Sequence, residues 1–106
     1  MNDTLLKTAL SFHQAGNLDG AIRLYGEILQ QQPKHFDALY LLGFAHLQRG
    51  EFHDAERLIS RALAVNPRSV DAHYNRGNAL QRLDRPKEAL AAFDAALAIK
   101  SDIGEV

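Results

Sequence analysis

Apolar residues recur along this chain at the three- and four-residue steps of a buried helical face, and the pattern breaks at short turns. The clearest stretch is Ala55, Leu58, Ile59, Ala62 and Leu63, which makes one apolar side of a helix. Followed through the whole chain, the spacing predicts six helices. The first helix of each pair covers about Asp3–Ala15, Phe36–Arg49 and Val70–Leu83, and the second about Leu18–Gln31, Phe52–Val65 and Pro86–Ile99. Turns of a few residues force each pair into an antiparallel hairpin. Pro86 stands in a first turn, where a missing N–H costs nothing. Pro33 and Pro67 stop the second helices and direct the chain into the next pair.

The same pattern returns after 34 residues. At that offset Pro33 coincides with Pro67, and Ala21 with Ala55 and Ala89. Ala9, Gly43 and Gly77 share a column, as do Tyr25, Ile59 and Phe93, then Leu29, Leu63 and Leu97. Turn residues coincide at Gly16, Gly50 and Asp84. A glycine in mid-helix costs about 1 kcal/mol against alanine. The Gly43 and Gly77 column therefore implies a neighbouring helix crossing closely there, with the alanine column as the opposing small surface and the bulky columns filling either side. Gly26 has no matching column and no role that the pattern explains.

These columns resemble the tetratricopeptide repeat over nearly the whole chain. The matching residues are the small residue of each first helix, Phe12 after it, the alanine, the aromatics Tyr25 and Phe93, and the closing proline. Two features depart from the repeat: the large residue near each start is Leu5, Leu39 and then His73, and Ser101 stands where a third proline belongs. The resemblance implies an all-α fold, an α-solenoid of three stacked antiparallel hairpins in a right-handed superhelix. Residues 1–106 form one domain, with repeats at about 2–35, 36–69 and 70–103. Lys34, His35, Phe36, Asp37 and Ala38 open the second repeat, and Arg68 to Ala72 open the third. Asp102, Ile103, Gly104, Glu105 and Val106 stand at the same offset, so residues 104–106 are expected to begin a fourth repeat of a longer protein. Without a polar capping helix, Phe93, Leu97 and Ile99 lack part of their cover, as does Leu5 at the other end. Homo-oligomer formation through the repeat ends, or exchange of a terminal helix, is the expected result.

Composition narrows the chemistry. The formal net charge is −1 with the signs interspersed, which leaves no footprint for nucleic acid or an anionic membrane. There is no cysteine, so disulfides, thiolate metal sites and cysteine nucleophiles are excluded. No unbroken apolar run of signal-peptide or membrane-span length occurs, and a cytoplasmic protein is expected. His13, His35, His46, His53 and His73 include no pair three or four apart on one helix, so no metal or other cofactor is expected. His46 and His73 fall in columns that are otherwise apolar or aromatic, which implies partly buried structural roles. No phosphate loop, nucleophile elbow or zinc-protease motif is present, and Ser11 and His13 have no orienting acid. The chain has no catalytic residues to offer.

The resemblance further implies that the first helices line a concave groove receiving an extended peptide or a partner helix. A second stripe on those helices holds Asp3, Leu6, Leu10 and His13, then Asp37, Tyr40, Phe44 and Gln48, then Asp71, Tyr74, Asn78 and Arg82. Tyr40, Phe44 and Tyr74 are the expected floor, aromatics being preferred interface anchors, with Asn75, Asn78, Gln81 and Arg82 as polar contacts. The plainer alternative is that these aromatics only complete the packing. Asp3, Asp37, Asp71 and Glu105 form an acidic column at the helix starts, where an acid meets the positive helix end and stabilises by about 0.3–1 kcal/mol. The sharper alternative is an acidic ridge favouring a basic peptide. Chaperone-binding members of the family grip a terminal carboxylate with basic residues and asparagines. Here those places hold Leu6, Leu10, Leu41, Asp71 and Asn75, so a chaperone EEVD tail is not an expected ligand. Asn75 and Asn78 resemble the asparagine ladder of O-linked N-acetylglucosamine transferases, in the third repeat only. The expected function is a non-catalytic protein-interaction scaffold; the alternative is the N-terminal recognition arm of a larger enzyme such as a glycosyltransferase of that kind.

Overall fold

The computed structural model describes residues 2–104. They form six helices: α1 (Asn2–Gln14), α2 (Leu18–Gln31), α3 (Phe36–Gln48), α4 (Phe52–Val65), α5 (Val70–Arg82) and α6 (Pro86–Gly104). Among the described residues each helix packs chiefly on its neighbours in the chain, with a lighter approach between α3 and α5. This is the contact order of stacked hairpins, an all-α solenoid, rather than of a bundle around one nucleus.

Local chemistry sets the ends of these helices. Asn17, His35 and Ser69 accept from the backbone N–H groups of Gly20, Ala38 and Ala72, which caps α2, α3 and α5. The turns within hairpins need one left-handed residue each, found at Gly16 (φ 84°), Gly50 (φ 79°) and Asp84 (φ 58°). This is the column the sequence aligned. The helix bounds follow the expected ones except at the end. The predicted stop at Ile99 is corrected: α6 continues five residues further, through Gly104. Pro33 and Pro67 cannot extend a helix, but Ser101 in their column can, so the chain has no break there. Residues 101–104, which the sequence reading divided between the end of the third repeat and the opening of a fourth, are thus helical, while Glu105 and Val106 lie outside the described residues.

The small column marks the hairpin crossing. A methyl group added at Gly43 would stand 2.7 Å from Ile59 Cγ1 and 3.2 Å from the Ala55 carbonyl oxygen. Ala9, Ala21 and Ala55 are fully buried, and Ala89 nearly so. At Gly26 an added methyl group meets nothing within 4 Å, so packing does not explain that glycine. The main apolar cluster spans the first two repeats through Tyr25, Leu39, Leu42 and Leu58. A smaller one, Leu80 with Ala89, Ala92 and Phe93, belongs to the third repeat.

The two joints between repeats differ. Leu42 is buried on α3 between the first and second repeats. Arg76 holds the same repeat position on α5, and its Nε donates to Glu56 Oε2 at 3.1 Å and to Ser60 Oγ at 2.9 Å on α4. Ser60 Oγ donates in turn to Glu56 Oε2 at 2.7 Å. The guanidinium and carboxylate are only 28% and 17% exposed, which shields the pair from solvent more than a surface ion pair would be.

Candidate functional site

Along α3 the rings of Phe36, Tyr40 and Phe44 stack in series, with centroids 6.0 and 6.3 Å apart and planes within 11°. A helical step of four residues puts them on one face. The imidazole of His13 on α1 continues the series, 5.7 Å from Phe44. Its two nitrogens are hydrogen-bonded to the Tyr25 hydroxyl at 2.8 Å and to Gln48 Oε1 at 2.6 Å. Leu6 and Leu10 are half-buried on the same helix. On the other side, Asn75 Nδ2 of α5 donates to the Tyr40 hydroxyl at 2.7 Å, and Asn78 Nδ2 donates to Asn75 Oδ1 at 3.4 Å. The structure therefore joins His13, Phe44, Tyr40, Asn75 and Asn78 across the three first helices, with the rings of Tyr40 and Phe44 half-buried.

Other expected groove residues lie differently. Tyr74 is 54% exposed, but its ring rests against Phe93, 5.6 Å away, rather than in the Tyr40 stack. The Arg82 guanidinium sits 5.0 Å over the Phe52 ring, already in a cation–π contact. Gln81, Asp37 and Asp71 are exposed, and Asp3, Asp37 and Asp71 occupy first turns as the helix-end reading requires.

Burial and charge shape the tyrosines. Loss of water raises the Tyr40 phenol above its usual pKa; Asp71 adds to the rise and the Asn75 hydrogen bond opposes it. Burial alone pushes Tyr25 up to about 12 from 10.0. A phenol whose folded pKa is raised stabilises fully below its unfolded value and loses that contribution as pH climbs through the folded one. The Tyr25 contribution should thus be level below pH 10 and fall between 10 and about 12, by at most about 1.4 kcal/mol per pH unit. Denaturant titrations at stepped alkaline pH test this. Tyr25→Phe should flatten most of the slope, and an unchanged slope would remove Tyr25 as its source.

At the hairpin turn joining α3 to α4, His46 Nδ1 lies 2.6 Å from Glu51 Oε1, and these two with Asp54 could offer three ligands to a metal. No histidine spacing announced this group, because it is assembled across a turn. Both carboxylates already have guanidinium partners, Arg49 on Glu51 and Arg57 on Asp54, each at 3.4 Å. The arrangement is that of a charged turn network. His73, in its otherwise apolar column, bonds Pro67 O through Nε2 at 2.8 Å, while its buried Nδ1 has no partner among the described residues.

A second feature lies at the third repeat. A cavity of about 440 Å³ opens between α5 and the later half of α6, lined by Val70, Asp71, Tyr74, Phe93, Leu97 and Lys100, with Ala96 at its base. Of the apolar residues expected at an uncovered end, Leu97 is 61% exposed, whereas Phe93 and Ile99 are half-buried. Leu90, also 61% exposed, was not among them. Among the described residues no helix is long and apolar enough to cross a membrane.

Family comparisons settle the relationship that the hairpins suggest. Two models described as tetratricopeptide repeat match residues 12–67 and 45–102. The chain belongs to the tetratricopeptide repeat family. Tetratricopeptide repeat protein 28 of Mus musculus is 34% identical over 83 residues, 78% of this chain and 3% of that protein. The chain thus spans only a small part of the length of that curated relative. The crystal structure of MamA superposes with a TM-score of 0.91 at 26% identity, covering 94% of this chain and 58% of MamA. An O-GlcNAc transferase mutant of Thermobaculum terrenum gives a TM-score of 0.89 at 30% identity, covering 95% of this chain and 19% of the transferase.

Proposed function

We propose that this chain is a non-catalytic interaction scaffold whose first-helix face receives an extended peptide or a partner helix, and that it also self-associates through its repeat ends. The observation carrying the first part is the aromatic series Phe36, Tyr40 and Phe44, half-buried, continued by His13 of α1 on one side and bonded to Asn75 of α5 on the other. Stiff aromatic rings with a polar edge are the side chains that anchor peptides at low entropic cost. Exposed Asp37 and Asp71 at the helix starts favour a basic peptide and disfavour a carboxylate tail. Peptides selected from a displayed library against the wild-type chain supply the probe. In the pair Tyr40→Ala and Tyr74→Ala, affinity should fall about tenfold or more with helicity retained. Unchanged affinity would remove the groove.

The second reading is that the chain is the recognition arm of a larger enzyme. It is supported by the likeness to the O-GlcNAc transferase over 95% of this chain and by Asn75 and Asn78 side by side on α5. A glycosyltransferase domain encoded downstream of Val106 would favour it, and a downstream region with repeats alone would sink it.

A further inference from the structure

We infer that the chain carries a second docking surface, separate from the aromatic series, which receives an apolar side chain flanked by acidic residues of a partner protein. A cavity of about 410 Å³ opens between the first and second repeats, away from both ends of the chain. Pro33 and Lys34 of the α2–α3 turn, Leu39 of α3, and Arg61, Ala64 and Val65 of α4 line it. None of Phe36, Tyr40 and Phe44 does. Val65 is 41% exposed, and among the described residues of the first two repeats no other large apolar side chain is as open.

The charge around this cavity is one-sided. Arg61 Nη2 donates to the Pro33 carbonyl oxygen at 3.5 Å, which holds the guanidinium beside the backbone that carries Lys34. Among the described residues neither cation has a carboxylate partner. The C-terminal ends of α2 and α4 offset them only in part, with roughly half a negative charge each. The third repeat has no such excess. There Arg68, in the column of Lys34, is paired with Asp102 at 2.9 Å, and Ala95 stands in the column of Arg61. The fold therefore does not demand two unpaired cations at this place. Like charges set side by side repel, and carboxylates brought between them relieve that repulsion. Leu39, Ala64 and Val65 meanwhile offer an incoming apolar side chain cover from water. Every lining residue except Leu39 is exposed, too open a site to enclose a free small molecule. A protein segment that spreads over the rim is the occupant that fits.

The probe is the acetylated, amidated peptide Glu-Glu-Leu-Glu-Glu, titrated to millimolar excess while the backbone amide resonances of the chain are followed. The amides of Lys34, Arg61, Ala64 and Val65 should shift and saturate, while those of Tyr40, Phe44 and Asn75 stay in place. Replacing the leucine of the peptide by glycine should weaken binding about tenfold or more. So should Lys34→Gln combined with Arg61→Gln, and helicity should survive because both side chains are exposed. Val65→Ser, also at an exposed position, removes apolar cover alone and should weaken the leucine peptide but not the glycine one. Shifts that do not saturate, or that gather on the aromatic series instead, overturn the inference. Equal binding of the glycine peptide overturns it too, since diffuse charge attraction would then suffice. The mass of the chain is first followed by sedimentation across a concentration series. A constant monomer mass there would refute the self-association proposed above and would leave the outcome of the titration unaffected.

Discussion

Leu39→Ala should cost about 2–5 kcal/mol, measured as a fall in the denaturant midpoint at unchanged slope. Leu39 is 1% exposed and belongs to the cluster that holds Tyr25 of the first hairpin against Leu42 and Leu58 of the second. Its removal leaves a cavity at the seam between two repeats, which neither hairpin can close without tilting on the other. A small domain has only about 5–15 kcal/mol in total, so this one truncation takes a large share. The same change at Leu5, which holds that column on half-buried ground in the first repeat, should cost far less. Equal losses at the two positions would mean that stacking is not what stabilises the array.

Gly43→Leu should be about as damaging, with a loss of about 3 kcal/mol or more. The side chain would improve helix propensity by up to about 1 kcal/mol, but it has nowhere to go. Its first carbon meets Ile59 Cγ1 at 2.7 Å, and Ala55 O and Ile59 N at 3.2 and 3.3 Å. Two of these are backbone atoms of α4, so relief requires the helices to move apart. At Gly77 the three nearest atoms all belong to the Phe93 ring, 2.6–2.8 Å away, half-buried beside the open cavity. Swinging that ring outward relieves the clash, so Gly77→Leu should lose less than half as much. Thermal and denaturant melts of both variants make the comparison; a milder effect at Gly43 would contradict the crossing.

The fold was legible because each element obeys translation by 34 residues, and every column has a local cause. Glycine or aspartate at the left-handed turn, alanine at the crossing and proline after the second helix could all be recognised from one repeat against the next. Where a column broke, the reading slipped: with Ser101 in place of proline, α6 ran on past Ile99. The candidate site was harder to read. Helical spacing put Tyr40, Phe44 and Tyr74 on equivalent faces, but translation does not say which neighbour a ring chooses, and Tyr74 chose Phe93. Arg82 looked free along the helix and is held by Phe52 from another hairpin. The capping role of His35 was also missed, although its column partner Ser69 is an ordinary cap and could have revealed it.

The contrast between Leu42 and Arg76 at the same repeat position gives the array two unlike joints. One is oily and owes its strength to water exclusion, so it softens on cooling and hardly notices salt. The other adds the half-shielded pair of Arg76 and Glu56 to apolar burial on α4 and α5, so dissolved salt reaches part of what holds it. Added salt should therefore loosen the joint between the second and third hairpins more than the joint between the first two.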